Sequence, residues 1–314
     1  MVKDEVKGHA AMFAANALWG LISPVAKFIF MASAIAPALL VEIRVLGAAM
    51  LFWLLSFFSP EEHVAHQDLL KLFFASLLGV VFNQGVFTIG VSLTSPVDAS
   101  VITTSTPIFT MIIAALYLKE PVTSKKLLGV FVGAIGALLL IMSNSHAPSS
   151  ARGGNVWGDI LCVAAEMCFA GYFVFFKGLI SRYSVATLMK WMFTYSAICV
   201  IPFSYSDFMA FEWGSLGGDV MLAVAFVVVC ATFLCYLLMP VAQKHLRPTV
   251  ASMYCYVQPV VASGVVVFYW GTSSFSLVKV LAILLVFAGV FLVTRSKSRA
   301  QMEACQPGRT GDAS

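Results

Sequence analysis

The sequence predicts an all-α membrane protein with ten transmembrane helices, arranged as two inverted five-helix repeats around a central cavity. Three observations predict it. Of the 314 residues, 60% are hydrophobic and only 11% charged, with a mean hydropathy of +0.93; soluble chains carry about 25% charged residues. The chain divides into ten apolar runs, each near the ~20 residues that a helix needs to cross ~30 Å of hydrocarbon. The second five runs repeat features of the first five at a nearly constant offset. Five is odd, so the second copy enters the bilayer upside down relative to the first. That plan belongs to secondary transporters, whose sites lie near the midplane between the halves.

In order, the runs are 9–31, 36–58, 69–91, 98–118, 124–143, 156–181, 185–206, 219–242, 249–269 and 275–294. The first follows Lys3 and Lys7 and ends in Ala32-Ser33-Ala34, a layout that mimics a secretory leader. It is too long for a leader's apolar region and contains Asn16 and Lys27, so it reads as a retained span. The fourth is entered through the polar turn Thr94–Ser100, interrupted at Pro107 and closed by Lys119-Glu120-Pro121. The ninth repeats that layout, from Leu246-Arg247-Pro248 through Pro259 to Tyr269-Trp270-Gly271. The resulting division is 8–143 for the first repeat, 144–155 for a Ser-, Gly- and Pro-containing linker, 156–295 for the second repeat and 296–314 for a disordered polar tail.

Lys and Arg set the orientation. With the N-terminus inside, the inner side carries Lys71, Lys119, Lys125, Lys126, Lys177, Arg182, Lys244, Arg247 and Arg295 besides the terminal charges. The outer loops carry only Arg152. Both termini are expected in the cytoplasm.

The repeat is explicit in the numbering. Pro96, Ala99 and Ser100 fall on Pro248, Ala251 and Ser252, and Pro107 on Pro259, all at 152 residues. At 150, Gly8 falls on Gly158, Asn16 on Glu166, Trp19 on Phe169 and Lys27 on Lys177; Gly136 falls on Gly289 at 153. A proline inside a span removes a backbone donor and clashes with the preceding turn. Lipid cannot satisfy the freed carbonyl, so such a break needs protein or a wet cavity beside it. Paired interrupted helices in corresponding halves therefore point to a binding site.

These features carry a resemblance. Duplicated five-span halves, Ala-Leu-Trp-Gly at 17–20, Arg44, Pro107, Leu-Lys-Glu-Pro at 118–121 and the run Gly129–Gly136 resemble EamA-type members of the drug/metabolite transporter superfamily over residues 8–295. The resemblance implies a ten-helix fold with a central cavity that moves metabolites, often amino acids or drugs, across the bacterial inner membrane. Two positions depart from a full duplication. Thr272 stands near where Glu120 would recur, and Phe193 or Thr194 where Arg44 would recur.

Charge near the midplane is costly and marks function by default. Glu42, Arg44 and Glu166 lie deep, whereas Lys27, Lys190 and Lys279 lie near span ends and can snorkel. Arg44 and Glu166 lie at similar depth, roughly 12 and 15 Å from one face at 1.5 Å per residue. They are expected either to pair structurally or to couple transport to protons. The expected substrate-binding residues are Asn16, Trp19, Asn83, Gln84, Thr103, Pro107, Phe169, Tyr254, Gln258 and Pro259. If the helix unwinds before Pro259, Tyr254 and Gln258 share a face. The small-residue helices 129–143 and 281–294 read as scaffold or as a dimer surface, leaving monomer and homodimer open.

Two other classes fit less well. A membrane-embedded enzyme would want a nucleophile or metal cluster. The histidines His9, His63, His66, His146 and His245 lie near span ends or in loops, and no His-Glu-x-x-His, Gly-x-Ser-x-Gly or Cys-x-x-Cys occurs. A receptor or scaffold without flux has no need of deep charges and paired prolines. The expected partners are a small-molecule substrate and the bilayer; no metal, cofactor or nucleic acid is expected. An apolar, aromatic cavity suits amino acids or amphiphilic metabolites better than phosphorylated sugars, which want several Arg or Lys.

Overall fold

The computed structural model describes residues 2–93, 102–144, 156–261, 264 and 277–296. Three expectations fall outside these residues: the polar turn at 94–100, nearly all of the 144–155 linker, and the tail beyond Ser296. Thr272 and the end of the ninth run do so as well.

The regular structure of the described residues is all helical, with no strand among them. In chain order the helices are α1 (Val2–Ala32), α2 (Pro37–Phe57), α3 (His66–Ser76), α4 (Phe87–Leu93), α5 (Thr106–Tyr117), α6 (Ser124–Asn144) and α7 (Val156–Phe175). They continue as α8 (Lys177–Arg182), α9 (Val185–Ala210), α10 (Gly218–Val228), α11 (Cys235–His245), α12 (Pro248–Ser252) and α13 (Leu277–Thr294). Among the described residues, five helical stretches are long and apolar enough to cross a membrane: Pro37–Phe57, His66–Gly90, Val156–Phe175, Val185–Ala210 and Gly218–His245. Their outward faces carry large apolar side chains such as Met50, Leu54, Phe74, Ile160, Ile198 and Leu222, as lipid-facing helices do.

Local chemistry sets the boundaries. Pro37 and Pro248 open α2 and α12 from extended residues, where a missing N–H costs nothing. Ser184 caps α9 by accepting from the Thr187 amide. α5 ends with Lys119 in the left-handed region (φ 52°). Leu118 and Glu120 both donate backbone N–H bonds to the Ala114 carbonyl there, closing the turn.

Two long helices are not regular. α3 passes into α4 through a π-helical stretch, Leu77–Val86, and α10 passes into α11 through another, Val229–Leu234. The stretches begin 152 residues apart (229 − 77), in the register of the repeat. The proline segments are irregular too. Thr104 and Ser105 form a turn ahead of α5, and a tight 3₁₀ turn, Met253–Tyr256, precedes Pro259.

The small-residue helices pack against each other. A Cβ on Gly129 would stand 2.8 Å from the Gly289 carbonyl, and one on Gly136 2.8 Å from the Ala282 carbonyl. Only hydrogen side chains permit that approach. Their small faces are thus spent on an internal contact. The main core gathers Phe52, Tyr172, Phe193 and Tyr236, while a second cluster (Ile29, Leu39, Leu40, Val220, Val227) seals the opposite end of α1 and α2.

Candidate functional site

α1 carries Asn16 and Trp19 one turn apart, and α7 carries Glu166 and Phe169 at the same spacing. Asn16 is fully buried: its Nδ2 donates to the Met12 carbonyl (2.9 Å), and its Oδ1 accepts from Gln258 Nε2 (2.9 Å). Gln258 arrives there because the 3₁₀ turn rotates the chain just ahead of Pro259. Glu166, also buried, is bonded to the Thr106 hydroxyl. Thr106 Oγ lies 2.8 Å from the Thr103 carbonyl, directly ahead of the buried Pro107.

Between these pairs stands an aromatic wall. Trp19 meets Phe169 edge-on at 5.9 Å between centroids and Tyr236 at 5.7 Å; Tyr236 meets Phe193 at 5.0 Å. Gln84, on the first π-helical stretch, donates from Nε2 to the Tyr236 hydroxyl (2.8 Å), which donates to the Gly79 carbonyl (3.0 Å). The Tyr172 ring covers Gly79 so closely that a Cβ there would sit 2.7 Å from it. Gln84 Oε1 and the Tyr172 hydroxyl are buried without a hydrogen-bond partner among the described residues. Buried polar atoms are nearly always satisfied, so such exceptions call for an explanation.

The structure brings most of the expected site residues together, with three corrections or refinements. Arg44 and Glu166 do not pair. Arg44 Nε donates to Thr232 Oγ1 (2.9 Å) on the second π-helical stretch, whereas Glu166 faces α5. Counting along the chain puts them at similar depths, but they face different neighbours around the bundle. Tyr254 is drawn to the end of α1, where its hydroxyl bonds His9 Nδ1 (2.8 Å), away from Gln258. Asn83 is half-buried beside Gln84, and its side chain makes no hydrogen bond among the described residues. Tyr172, Tyr236 and Thr232 were not foreseen. The only hint in the sequence is that Tyr236 falls on Gln84 at 152 residues.

Beyond this centre, Glu120 accepts from the fully buried Lys126 (2.8 Å) and from Thr249 Oγ1 (3.0 Å), tying the turn after α5 to the start of α12. The six cysteines among the described residues are free, and no group of three or more metal-ligating side chains lies together among those residues.

A helical, membrane-crossing chain with polar pairs held at broken helices belongs to the class of membrane transporters. The particular family follows from comparison with known proteins. The profile of the EamA-like transporter family matches the chain twice, over residues 6–142 and 156–295, and the chain belongs to that family. It is 27% identical to an uncharacterized transporter of Archaeoglobus fulgidus over 70% of this chain and 74% of that one. It is 26% identical to the uncharacterized transporter YyaM of Bacillus subtilis (68% and 69% covered). To the WAT1-related protein At2g40900 of Arabidopsis thaliana it is 23% identical (78% and 67% covered). A solved crystal structure shares the fold with a TM-score of 0.74 at 15% identity, covering 91% of this chain and 96% of that one.

Proposed function

We propose that the protein is a secondary transporter that exports a small metabolite, an amino acid or an amphiphilic metabolite or drug, across the inner membrane by alternating access. In this reading, residues 8–143 and 156–295 are inverted five-helix repeats around a central cavity. The 144–155 linker lies outside, and both termini, with the 296–314 tail, are cytoplasmic.

One observation carries it: the two central polar pairs are crossed counterparts. Asn16 corresponds to Glu166 (166 − 16 = 150) and Thr106 to Gln258 (258 − 106 = 152). Asn16 of the first half bonds Gln258 of the second, and Glu166 of the second bonds Thr106 of the first. Trp19 touches its own counterpart Phe169, and Gln84 its own counterpart Tyr236. A position meets its counterpart only beside an axis relating the halves. These contacts support a pseudo-two-fold axis running through the aromatic wall, where a transporter with inverted repeats holds its substrate. Trp19 and Phe169 then wall the cavity, and Asn16, Gln258, Gln84 and Asn83 offer amides to the substrate. Thr103, Pro107, Tyr254 and Pro259 shape the broken segments. The internal contact of α6 with α13 favours a monomer.

Hydrogen counting supports Glu166 as a proton site. Thr106 has one hydroxyl hydrogen, yet both its neighbours, the Thr103 carbonyl and the Glu166 carboxyl, are acceptors when Glu166 is ionised. Protonated Glu166 resolves this by donating to Thr106 Oγ while Thr106 donates to Thr103. No cation stands within ion-pair distance of Glu166 among the described residues. Exchange of this proton for substrate is proton-coupled antiport. The test is counterflow into liposomes holding the purified chain, run over a panel of amino acids and amphiphilic amines. Saturable exchange of at least one compound, absent from protein-free liposomes, supports transport. No exchange across the panel, from protein that remains folded, counts against this substrate class.

A further inference from the structure

A cleft of about 420 Å³ opens between α3, the C-terminal end of α5 and the junction of α7 with α8, within the size range of small-ligand sites. It is separate from the central polar pairs: Asp68, on its wall, is sixteen residues before Gln84, roughly 24 Å along a helix. Its two parts differ in chemistry. At its mouth the buried Asp68 carboxylate accepts from Lys71 Nζ (2.8 Å), Arg182 Nη1 (2.6 Å) and the Tyr183 hydroxyl (2.8 Å). The Lys71 and Arg182 side chains remain 54% and 61% exposed. Each gives Asp68 a single hydrogen bond, out of three donors for an ammonium and five for a guanidinium. Two cations against one carboxylate leave a net positive mouth with free donors. The inner wall is aromatic and opens sideways. Tyr117 and Phe175 pack edge-on at 5.0 Å between centroids, and both are exposed, as is the neighbouring Leu116.

We propose that this cleft binds an anionic phospholipid of the cytoplasmic leaflet, with the phosphate on Lys71 and Arg182 and the first part of an acyl chain along Tyr117 and Phe175. The assignment rests on the orientation proposed above, which puts Lys71 and Arg182 at the inner interface. Basic pockets between helices on that side suit anionic headgroups, and each cation near such a surface contributes about 1 kcal/mol. The position also has mechanical reach. Asp68 joins α3 of the first half to the 182–183 turn of the second, so a lipid drawing on the same two cations loads a cross-link between the halves.

The test is lipid retention by the purified full chain, measured by native mass spectrometry after exchange from nanodiscs of mixed phosphatidylglycerol and phosphatidylcholine. Wild type should retain phosphatidylglycerol over phosphatidylcholine by about 25-fold, a factor of about five for each of the two cations at about 1 kcal/mol. Lys71→Gln and Arg182→Gln should each reduce that preference about fivefold. Asp68→Asn should raise it, because both cations are released to the phosphate. If the cluster serves only to tie the turn, Asp68→Asn leaves retention unchanged. Gly178 lines the cleft, and a Cβ there meets nothing within 4 Å. Gly178→Phe therefore occludes the cleft without removing any charge and should abolish the preference while the melting temperature holds. Equal retention of the two lipids by wild type overturns the proposal, as does undiminished preference in Gly178→Phe. Competition by glycerophosphoglycerol, which lacks acyl chains, as effective as that of the lipid would assign the site to a soluble phosphate and overturn it too. The measurement is independent of sidedness, so its failure and a failure of the proposed orientation are separable.

Discussion

Replacing Glu166 by glutamine is the most informative single change, because an amide reproduces the hydrogen pattern of a protonated acid. With Glu166 protonated, its O–H donates to Thr106 Oγ and Thr106 donates to the Thr103 carbonyl. The glutamine Nε2 donates in the same direction, so stability should change by less than about 1 kcal/mol, the size of one interhelical hydrogen bond in a membrane. Thr106→Val removes the hydroxyl but keeps the branched shape. It leaves a buried carboxyl hydrogen without an acceptor, a loss of about 1–3 kcal/mol. Since glutamine keeps the bond, Thr106→Val should cost nearly the same in the Glu166→Gln background, and the double-mutant coupling should be close to zero. An ionised Glu166 predicts otherwise: charge-assisted bonds are worth about 1.5–3 kcal/mol, so Glu166→Gln would itself destabilise and the coupling would be large. Thermal melting of the four proteins in detergent gives these energies without a known substrate. Proteoliposomes give the functional half. Glu166→Gln, fixed as if proton-loaded, should lose transport driven by a pH gradient and retain counterflow. Large coupling together with unchanged pH-driven flux would refute the proton-site assignment.

Other consequences are open to shorter tests. Single cysteines introduced as Ser149→Cys and Ser298→Cys, in a background without the native ones, should label from opposite sides of the membrane; labelling from one side would break the proposed span count. Gly129→Ala places a methyl about 2.8 Å from the Gly289 carbonyl and should cost ~1–3 kcal/mol by overpacking, visible as a lowered melting temperature, whereas Gly178→Ala should not. Burial pushes the Glu62 carboxyl up, but bonds from Ser184 and Thr187 and the Lys244 charge outweigh it and hold it below its ordinary 4.5. A depressed carboxyl contributes stability that is present above its unfolded value and lost as pH falls below it. Glu62→Gln should therefore reduce the melting temperature at neutral pH and make no difference at acid pH.

How much of this was legible beforehand depends on the kind of signal. Residues tied to backbone geometry or to the repeat announced themselves. The prolines marked the broken segments, Asn16 and Gln258 turned up bonded, and Trp19 met Phe169. What depended on azimuth did not. Arg44 and Glu166 were at the same depth, but depth along a helix says nothing about which neighbour a side chain faces, and Thr232 claimed the guanidinium. The π-helical stretches at 77–86 and 229–234 carry no proline, and the glycines of the first, Gly79 and Gly85, do not recur in the second. Gln84 lies on the first stretch and Tyr236 two residues past the end of the second, and both side chains are buried. Tyr236 read as one more aromatic in an apolar run, and only its distance of 152 residues from Gln84 could have singled it out.

That distance leads to the last step. Duplication produces two equal halves, but alternating access with a coupled proton needs them unequal at one point and equal elsewhere. The crossed pairs have this character. At the broken segments the halves offer a hydroxyl, Thr106, and an amide, Gln258, and both reach the first helix of the other half. On those first helices the equivalence fails, with Asn16 on one side and Glu166 on the other. On the proton-coupled reading proposed above, the neutral Asn16 amide keeps one bond to Gln258 throughout, whereas Glu166 accepts from Thr106 when ionised and donates to it when protonated. Exchange of the proton would therefore reverse the hydrogen at one crossing, drawing that of Thr106 off the Thr103 carbonyl, and leave the other crossing unchanged, so a pH-driven movement would be of α7 relative to α5 rather than of α1 relative to the Gln258 segment. Asn16→Asp should cancel that asymmetry. Two proton-dependent crossings would then flank the wall, and pH-driven exchange should slow even though no wild-type carboxyl has been removed. Exchange at the wild-type rate in Asn16→Asp would show that the asymmetry between these positions is not what couples the proton to movement.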